Sequence, residues 1–173
     1  MNVDLALSVL RLAVGVVIAA HGILKFGWLG GGGSLSAVGQ WFQGLGLRPA
    51  MFWAVVSAFG ESLGGLLVIL GLGGPIGGGI VAADLVVVTV VAHWPKGFWA
   101  HKGGVEFPVP LAAGAFAIAL IGNGRWSLDA LLGITYPEWL LPAWGALMAA
   151  GVVLAFVSLA LFAPRQTTQT ATR

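Results

Sequence analysis

Three ionisable residues lie inside long apolar stretches of this 173-residue chain: Arg11, Glu61 and Asp84. A charged side chain at the bilayer centre costs about 2.5–3.5 kcal/mol on insertion scales. Each of the three must therefore be paired, protonated or put to use. Arg11 and Glu61 are the obvious candidates for a buried charge pair. As a structural salt bridge the pair would fix helix packing; on the sharper reading, Glu61 binds or moves a proton beside a bound polar head group. Arg11 and Lys25 are 14 residues apart, which leaves them within about 40° of each other on a helical wheel. His21 falls within about 80° of Arg11 on the same side. His93 closes the third apolar stretch on the same side as His21, with Lys96, His101 and Glu106 in the adjoining loop. Histidine titrates near neutral pH, so His21 and His93 are candidate proton carriers for a quinone-type reaction. Lys25 and Glu106 are candidate substrate-binding residues at that mouth. Asp84 is half a turn from His93 if the helix between them is regular, and is expected to be protonated and hydrogen-bonded across a helix contact.

The elements that position these residues are five apolar stretches: Val3–Phe26, Pro49–Leu72, Ile76–Trp94, Pro108–Gly122 and Trp139–Ala163. About 20 apolar residues span the hydrocarbon core as a helix. The fourth stretch is short and spans only if it begins near Phe107 and tilts or thins the bilayer. Gly15 and Gly22 allow the polar face of the first helix to approach a neighbour closely, and Gly60-xxx-Gly64 does the same in the second. Gly27 to Ser34 is a flexible glycine loop in which Gly30–Gly33 reads as a hinge. Ser36–Leu45 reads as a short amphipathic helix at the interface, with Val38, Trp41, Phe42 and Leu45 on one side. Gly71-Leu72-Gly73-Gly74-Pro75 is a tight turn that makes the second and third spans a hairpin. Ser127 is an N-cap for a short helix through Leu132, with Asp129 in its first turn. Trp28, Trp41, Trp94, Trp99, Trp126, Trp139 and Trp144 lie at or near span ends, as an aromatic belt requires.

Composition agrees: 58% of residues are hydrophobic, 8% are charged and the mean hydropathy is +0.97. Soluble domains carry roughly a quarter charged residues. The fold class is all-α: a polytopic membrane helix bundle of four core transmembrane helices plus one C-terminal transmembrane helix. The net charge of +2 is small and scattered, which argues against nucleic acid as a partner. There is no cysteine, so the chain has no disulfide, thiol redox centre or thiolate-held metal. No metal or haem is expected. Asp4 and Arg11 make Met1–Gly22 a poor cleavable signal, and it reads as the first membrane helix. Lys25, Arg48, Lys96, Lys102, Arg165 and Arg173 share one side, which by the positive-inside rule puts the N-terminus outside and the C-terminus in the cytoplasm.

The ordered set Arg11-Leu12, Gly15, His21-Gly22, Lys25-Phe26-Gly27, Trp41-Phe42, Leu45-Gly46-Leu47-Arg48-Pro49, Glu61-xx-Gly64-Gly65, His93-Trp94-Pro95-Lys96, Gly103-Gly104-Val105-Glu106-Phe107-Pro108 and Gly122-Asn123-Gly124-Arg125-Trp126-Ser127-Leu128-Asp129 resembles the DoxX family of small membrane proteins. The resemblance covers roughly residues 8–133. It implies a four-helix membrane core, with some relatives resembling subunits of a thiosulfate:quinone oxidoreductase and others associated with redox-stress assemblies. The family's recurring polar positions fall on Arg11, His21, Lys25, Glu61, His93 and Glu106. Asp84 and the span Trp139–Ala163 depart from the pattern. The expected organisation is a core over residues 1–137, an added helix over 138–163 and a polar tail over 164–173. The leading functional reading is a plasma-membrane subunit of an oxidoreductase system that contacts quinone or a small oxidant. On this reading Arg11–Glu61 organises the pocket, His21 and His93 carry protons and Lys25 anchors an anionic head group. The alternatives are an anchor recruiting soluble redox partners and a small-molecule or ion carrier. The expected partners are the lipid bilayer, soluble redox proteins and a second copy of the chain.

Overall fold

The computed structural model describes residues 2–28 and 33–163. Most of the expected glycine hinge and the polar tail fall outside the described residues. The elements run α1 (Asn2–Lys25), α2 (Leu35–Leu45), α3 (Ala50–Leu70), α4 (Ile76–Val88), a π-helical turn (Thr89–His93), two 3-10 turns (Trp94–Lys96 and Ala100–Lys102), α5 (Pro108–Ile121), α6 (Leu128–Leu131) and α7 (Leu140–Phe162). The class is all-α, as the sequence predicts. Val3–Lys25, Ala50–Leu70, Ile76–Lys96 and Leu140–Phe162 are each long and apolar enough to cross a membrane. The fifth apolar helix, α5, has 14 residues, about 21 Å of rise against a hydrocarbon core of about 30 Å.

Small residues set the helix spacing. A Cβ on Gly22 would run into the Ser62 amide, and one on Gly65 would lie 2.5 Å from the Ala19 amide. A Cβ on Gly15 would lie 2.8 Å from the Gly65 carbonyl. The antiparallel pair α1–α3 is therefore in near backbone contact along its length. Gly60 and Gly64 face Ile80 on α4, and Gly78 of α4 would meet the Ala115 carbonyl of α5 at 2.7 Å. The α3–α4 hairpin turns through Gly71, Gly73 and Gly74, all at positive φ. Leu7, Val14, Ile18, Val68, Val81, Leu85, Ala115 and Ile118 fill the space between α1, α3, α4 and α5. Dispersion and close packing hold such a bundle, since lipid is as apolar as the core.

The short amphipathic helix forms as α2. Ser34 caps it by accepting from the Ala37 amide at 3.1 Å, and Gly46 ends it at φ +99°. Phe42 is buried, while Gln40, Trp41 and Gln43 are exposed. Helix α7 packs on α4 along one face and is pinned by hydrogen bonds toward both ends. Trp144 Nε1 donates to the Ile76 carbonyl at 3.2 Å. Ser158 Oγ accepts from the Arg48 amide at 2.7 Å and donates to the Arg48 carbonyl at 3.0 Å. Between these ties α7 leans on α4 through half-buried Met148, Gly151 and Val152, and of its residues Ala155 and Ser158 are fully buried.

Candidate functional site

The register of the α1–α3 pair decides which charges meet. Gly22 lies opposite Ser62, Ala19 opposite Gly65, and Arg11 opposite Gly71. Glu61 is thus level with the C-terminal turn of α1, where Lys25 stands, and Arg11 is about 21 Å of helix away from Lys25. Lys25 Nζ lies 2.7 Å from Glu61 Oε2 and donates to Ser57 Oγ at 2.6 Å. Ser57 and Glu61 are four residues apart, so α3 presents both on one face. The lysine's well-formed hydrogen bond is the one to Ser57. Its contact with Glu61 is one of proximity, and Oε2 has no aligned hydrogen-bond partner. The expected Arg11–Glu61 pair is corrected: Glu61 pairs with Lys25. Lys25 accordingly turns into the bundle rather than out toward the mouth, with side-chain exposure of 17% against 7% for Glu61.

Asp84 of α4 is near enough to Glu61 for the two carboxyls to act on each other. Its Oδ2 is buried and has no partner among the described residues. Glu61 therefore stands between an ammonium and a second carboxyl. Asp84 and Ser57 are also the acid and the hydroxyl on the wall of a cavity of about 280 Å³ between α2, α3, α4 and α7, whose other lining includes Trp41, Trp53, Gly60 and Met148. Trp53 Nε1 donates to the Arg48 carbonyl at 3.2 Å, which fixes its ring. Ser57 accepts from Lys25, so its own hydroxyl hydrogen remains to donate.

The helix carrying Asp84 and His93 is not regular. The π-helical turn Thr89–His93 inserts one residue between them. A regular helix would leave them half a turn apart, and one extra residue brings them back to within about a quarter turn. His93 Nδ1 lies 2.7 Å from the Gly103 carbonyl. A carbonyl only accepts, so Nδ1 carries the hydrogen and Nε2 is left as the proton-accepting nitrogen. His21 lies within electrostatic range of both Lys25 and His93, and its ring centroid is 6.3 Å from that of Phe107. His21, Lys25 and His93 are thus brought together. Glu106 is exposed and accepts from the Ala100 amide at 2.7 Å, holding the loop before α5. Lys96 and His101 are exposed.

Arg11 is used at the other end of the molecule. Its Nη1 donates to the Asn123 carbonyl and its Nη2 to the Trp126 carbonyl. The expected short helix forms over Leu128–Leu131, capped by Ser127. Its Asp129 accepts from the amides of Gly73 at 3.0 Å and Gly74 at 2.9 Å, from Asn123 Nδ2 at 2.7 Å and from Tyr136 Oη at 2.7 Å. Burial works to raise the carboxyl's pKa. The hydrogen bonds from Tyr136, Asn123, Gly74 and Gly73 outweigh it and hold Asp129 below the ordinary carboxylate range. Burial, reinforced by Asp129, pushes the Tyr136 phenol up. Sequence reasoning did not assign Asn123 or Tyr136 a role. The available signal was a polar residue in a glycine turn next to an acidic one.

The DoxX family model matches residues 6–94. A Mycobacterium tuberculosis protein named as an uncharacterised membrane protein is 30% identical over 133 residues, covering 69% of this chain and 77% of its own. A Bacillus subtilis protein named "Putative oxidoreductase CatD" is 30% identical over 128 residues, covering 73% of this chain and 86% of its own. No solved structure matches the chain.

Proposed function

The chain belongs to the DoxX family of multi-pass membrane proteins, and we propose that it serves as the quinone-contacting membrane subunit of an oxidoreductase system. The observation that carries this reading is the polar edge on an apolar, tryptophan-flanked cavity: Ser57 backed by Lys25, and Asp84 backed by Glu61. A quinone head group is flat and apolar with two carbonyl acceptors. Trp41 and Trp53 offer ring faces for it. The Ser57 hydroxyl, polarised by the lysine ammonium behind it, donates to a carbonyl oxygen. In its acid form Asp84, whose buried oxygen is unpartnered, would donate to the second carbonyl.

When bound, a quinone supplies two-electron, two-proton chemistry. This chain's residues would hold it, exclude water and handle protons. The proton-handling groups run from Asp84 through Glu61 and Lys25 to His21 and to His93 Nε2 at the mouth. Electrons are supplied by a soluble redox partner, in keeping with the oxidoreductase named among the relatives. The location on this reading is the plasma membrane, with the N-terminus outside and the C-terminus cytoplasmic. A second copy of the chain is a further partner on this reading, with α7 as the added span outside the family core.

The test is the quinone content of protein purified into nanodiscs, wild type beside Ser57→Ala and Lys25→Met. Stoichiometric quinone in the wild type, lost in both variants while the fold is retained, is the expected result. No quinone in any sample would overturn the reading in favour of a non-catalytic anchor.

A further inference from the structure

The loop from Gly97 to Phe107 does not simply project from the end of the bundle. Gly78 of α4 lies against the Ala115 carbonyl and the Ala119 amide of α5. The two helices are antiparallel, so Pro108, which opens α5, is level with Leu85–Thr89. Lys96, where the third span ends, lies about 10–16 Å of helical rise beyond that level. The neighbouring rings of His21 and Phe107 give the same depth by a separate route, because Gly22 stands opposite Ser62 and so beside Glu61. Helix α7 meanwhile runs on to Phe162, where Ala163 lies against Gly46 near the start of α3. The loop therefore descends alongside spans that continue past it. Its backbone is paired as such a position demands. The amides of Gly97, Lys102, Gly103, Gly104, Val105 and Glu106 all donate to carbonyls between Trp94 and Ala100. The Glu106 carboxylate takes the Ala100 amide at 2.7 Å, His93 Nδ1 donates to the Gly103 carbonyl, and Gly104 is buried. Irregular backbone is tolerated at membrane depth where it is paired and backed by protein. The side chains of Phe98, Trp99 and Phe107 face outward and are exposed.

We propose that residues 97–107 form a re-entrant loop seated in the leaflet that holds an anionic phospholipid, with Lys96 and Lys102 on the phosphate and Phe98 and Trp99 against the upper acyl chains. The proposal stands apart from the quinone reading and does not rest on it. Charge and depth name the occupant. Lys96 folds back over Gly103, its Nζ 3.4 Å from where a Cβ there would lie, and Lys102 is the residue before that glycine. Both lysines are exposed, and among the described residues neither is in an ion pair. The loop's one carboxylate is spent on its own backbone. Long lysine stems reach from the level of the aromatic rings to that of the head groups while keeping the ammonium in a polar layer. Two such ammoniums favour a lipid of net negative charge over a zwitterionic one, whose own ammonium cancels its phosphate.

The chain has no cysteine, so a single spin label can report depth directly. It is placed at Phe98→Cys and, as a lipid reference, at Leu154→Cys, an exposed position near the middle of α7. In nanodiscs, collision with oxygen is compared with collision with a water-soluble nickel chelate. The label at 98 is expected to favour oxygen, as the one at 154 does. Native mass spectrometry of the protein titrated with phosphatidylglycerol or phosphatidylcholine reads the first bound lipid. The wild type is expected to prefer phosphatidylglycerol by about fivefold. The preference should vanish in Lys96→Gln/Lys102→Gln and persist in Lys96→Arg/Lys102→Arg. All four substitutions are at exposed positions, and an unchanged helical signal confirms that the fold is kept. A label at 98 that favours the nickel chelate would overturn the re-entrant placement. Equal binding of the two lipids by the wild type, or a preference that survives the double glutamine variant, would overturn the lipid site. Both results together would leave the lysines to an acidic soluble partner instead.

Discussion

Replacing Lys25 by methionine keeps the length and most of the volume of the side chain and removes its charge. Glu61 is then left buried beside Asp84 with no cation in contact. Two unit charges 2.7 Å apart attract by about 6 kcal/mol at an effective dielectric constant near 20, before desolvation is counted. Desolvation of both groups offsets much of that, so the pair as a whole is worth little. Removing one partner is different, and costs about 3–5 kcal/mol because the other charge stays buried. Lys25→Met and Glu61→Gln are each expected to lose about that much, and the double variant is expected to lose far less than the two together. A coupling of at least about 2 kcal/mol is expected, near the upper part of the range for groups in contact. Reversible unfolding in mixed micelles, followed by helical signal against denaturant fraction, reads the four stabilities. A parallel cycle on Arg11→Ala and Glu61→Gln is the control. Those residues do not touch, and their losses should add within about 0.5 kcal/mol. Additive losses in the Lys25–Glu61 cycle, or coupling in the Arg11–Glu61 cycle, would refute the register drawn for α1 and α3.

The Asp129 cage should make stability fall in acid. Its folded pKa lies below the unfolded value of about 3.9, so its contribution is complete above that value and is lost as pH falls through the folded one. Asp129→Asn should flatten that acid limb in an unfolding titration, and Tyr136→Phe should move it to higher pH, at a cost of about 1 kcal/mol for the lost hydrogen bond; an unchanged limb in Asp129→Asn would count against the cage. Gly22→Ala should destabilise by about 1–3 kcal/mol, because its methyl meets the Ser62 backbone. Gly145→Ala should be neutral or stabilising by up to about 1 kcal/mol, and equal thermal shifts for the two would contradict the packing described.

How much of this is legible in the sequence differs by element. The spans, the amphipathic helix α2, the glycine hairpin at Gly71–Gly74 and the Ser127 cap follow from hydropathy, periodicity and turn chemistry, which are local. The partner of Glu61 is not local. Arg11 and Lys25 fall on one side of α1, and either could reach a carboxylate on α3. The choice depends on how far the chain slides before Gly22 seats on Ser62, and no spacing within one helix states that. The phase between Asp84 and His93 depends on whether the helix is regular, and the π-helical turn at Thr89–His93 leaves no compositional mark in Thr-Val-Val-Ala-His. Asp129 could be placed at a helix start from Ser127, but its four donors come from three separate connections.

The acceptors of Arg11 bear on the order in which the molecule can be completed. Both are carbonyls more than 110 residues further along the chain. Asp129, which ties Asn123 to the α3–α4 turn, lies 56 positions after Gly73. During synthesis from the N-terminus, α1 is therefore made with a guanidinium that has none of its final acceptors, and the α3–α4 hairpin exists before the segment that latches it. The last turn before α7 thus acts as a clasp on the finished bundle, and an early helix depends for the acceptors of its guanidinium on a segment that emerges late.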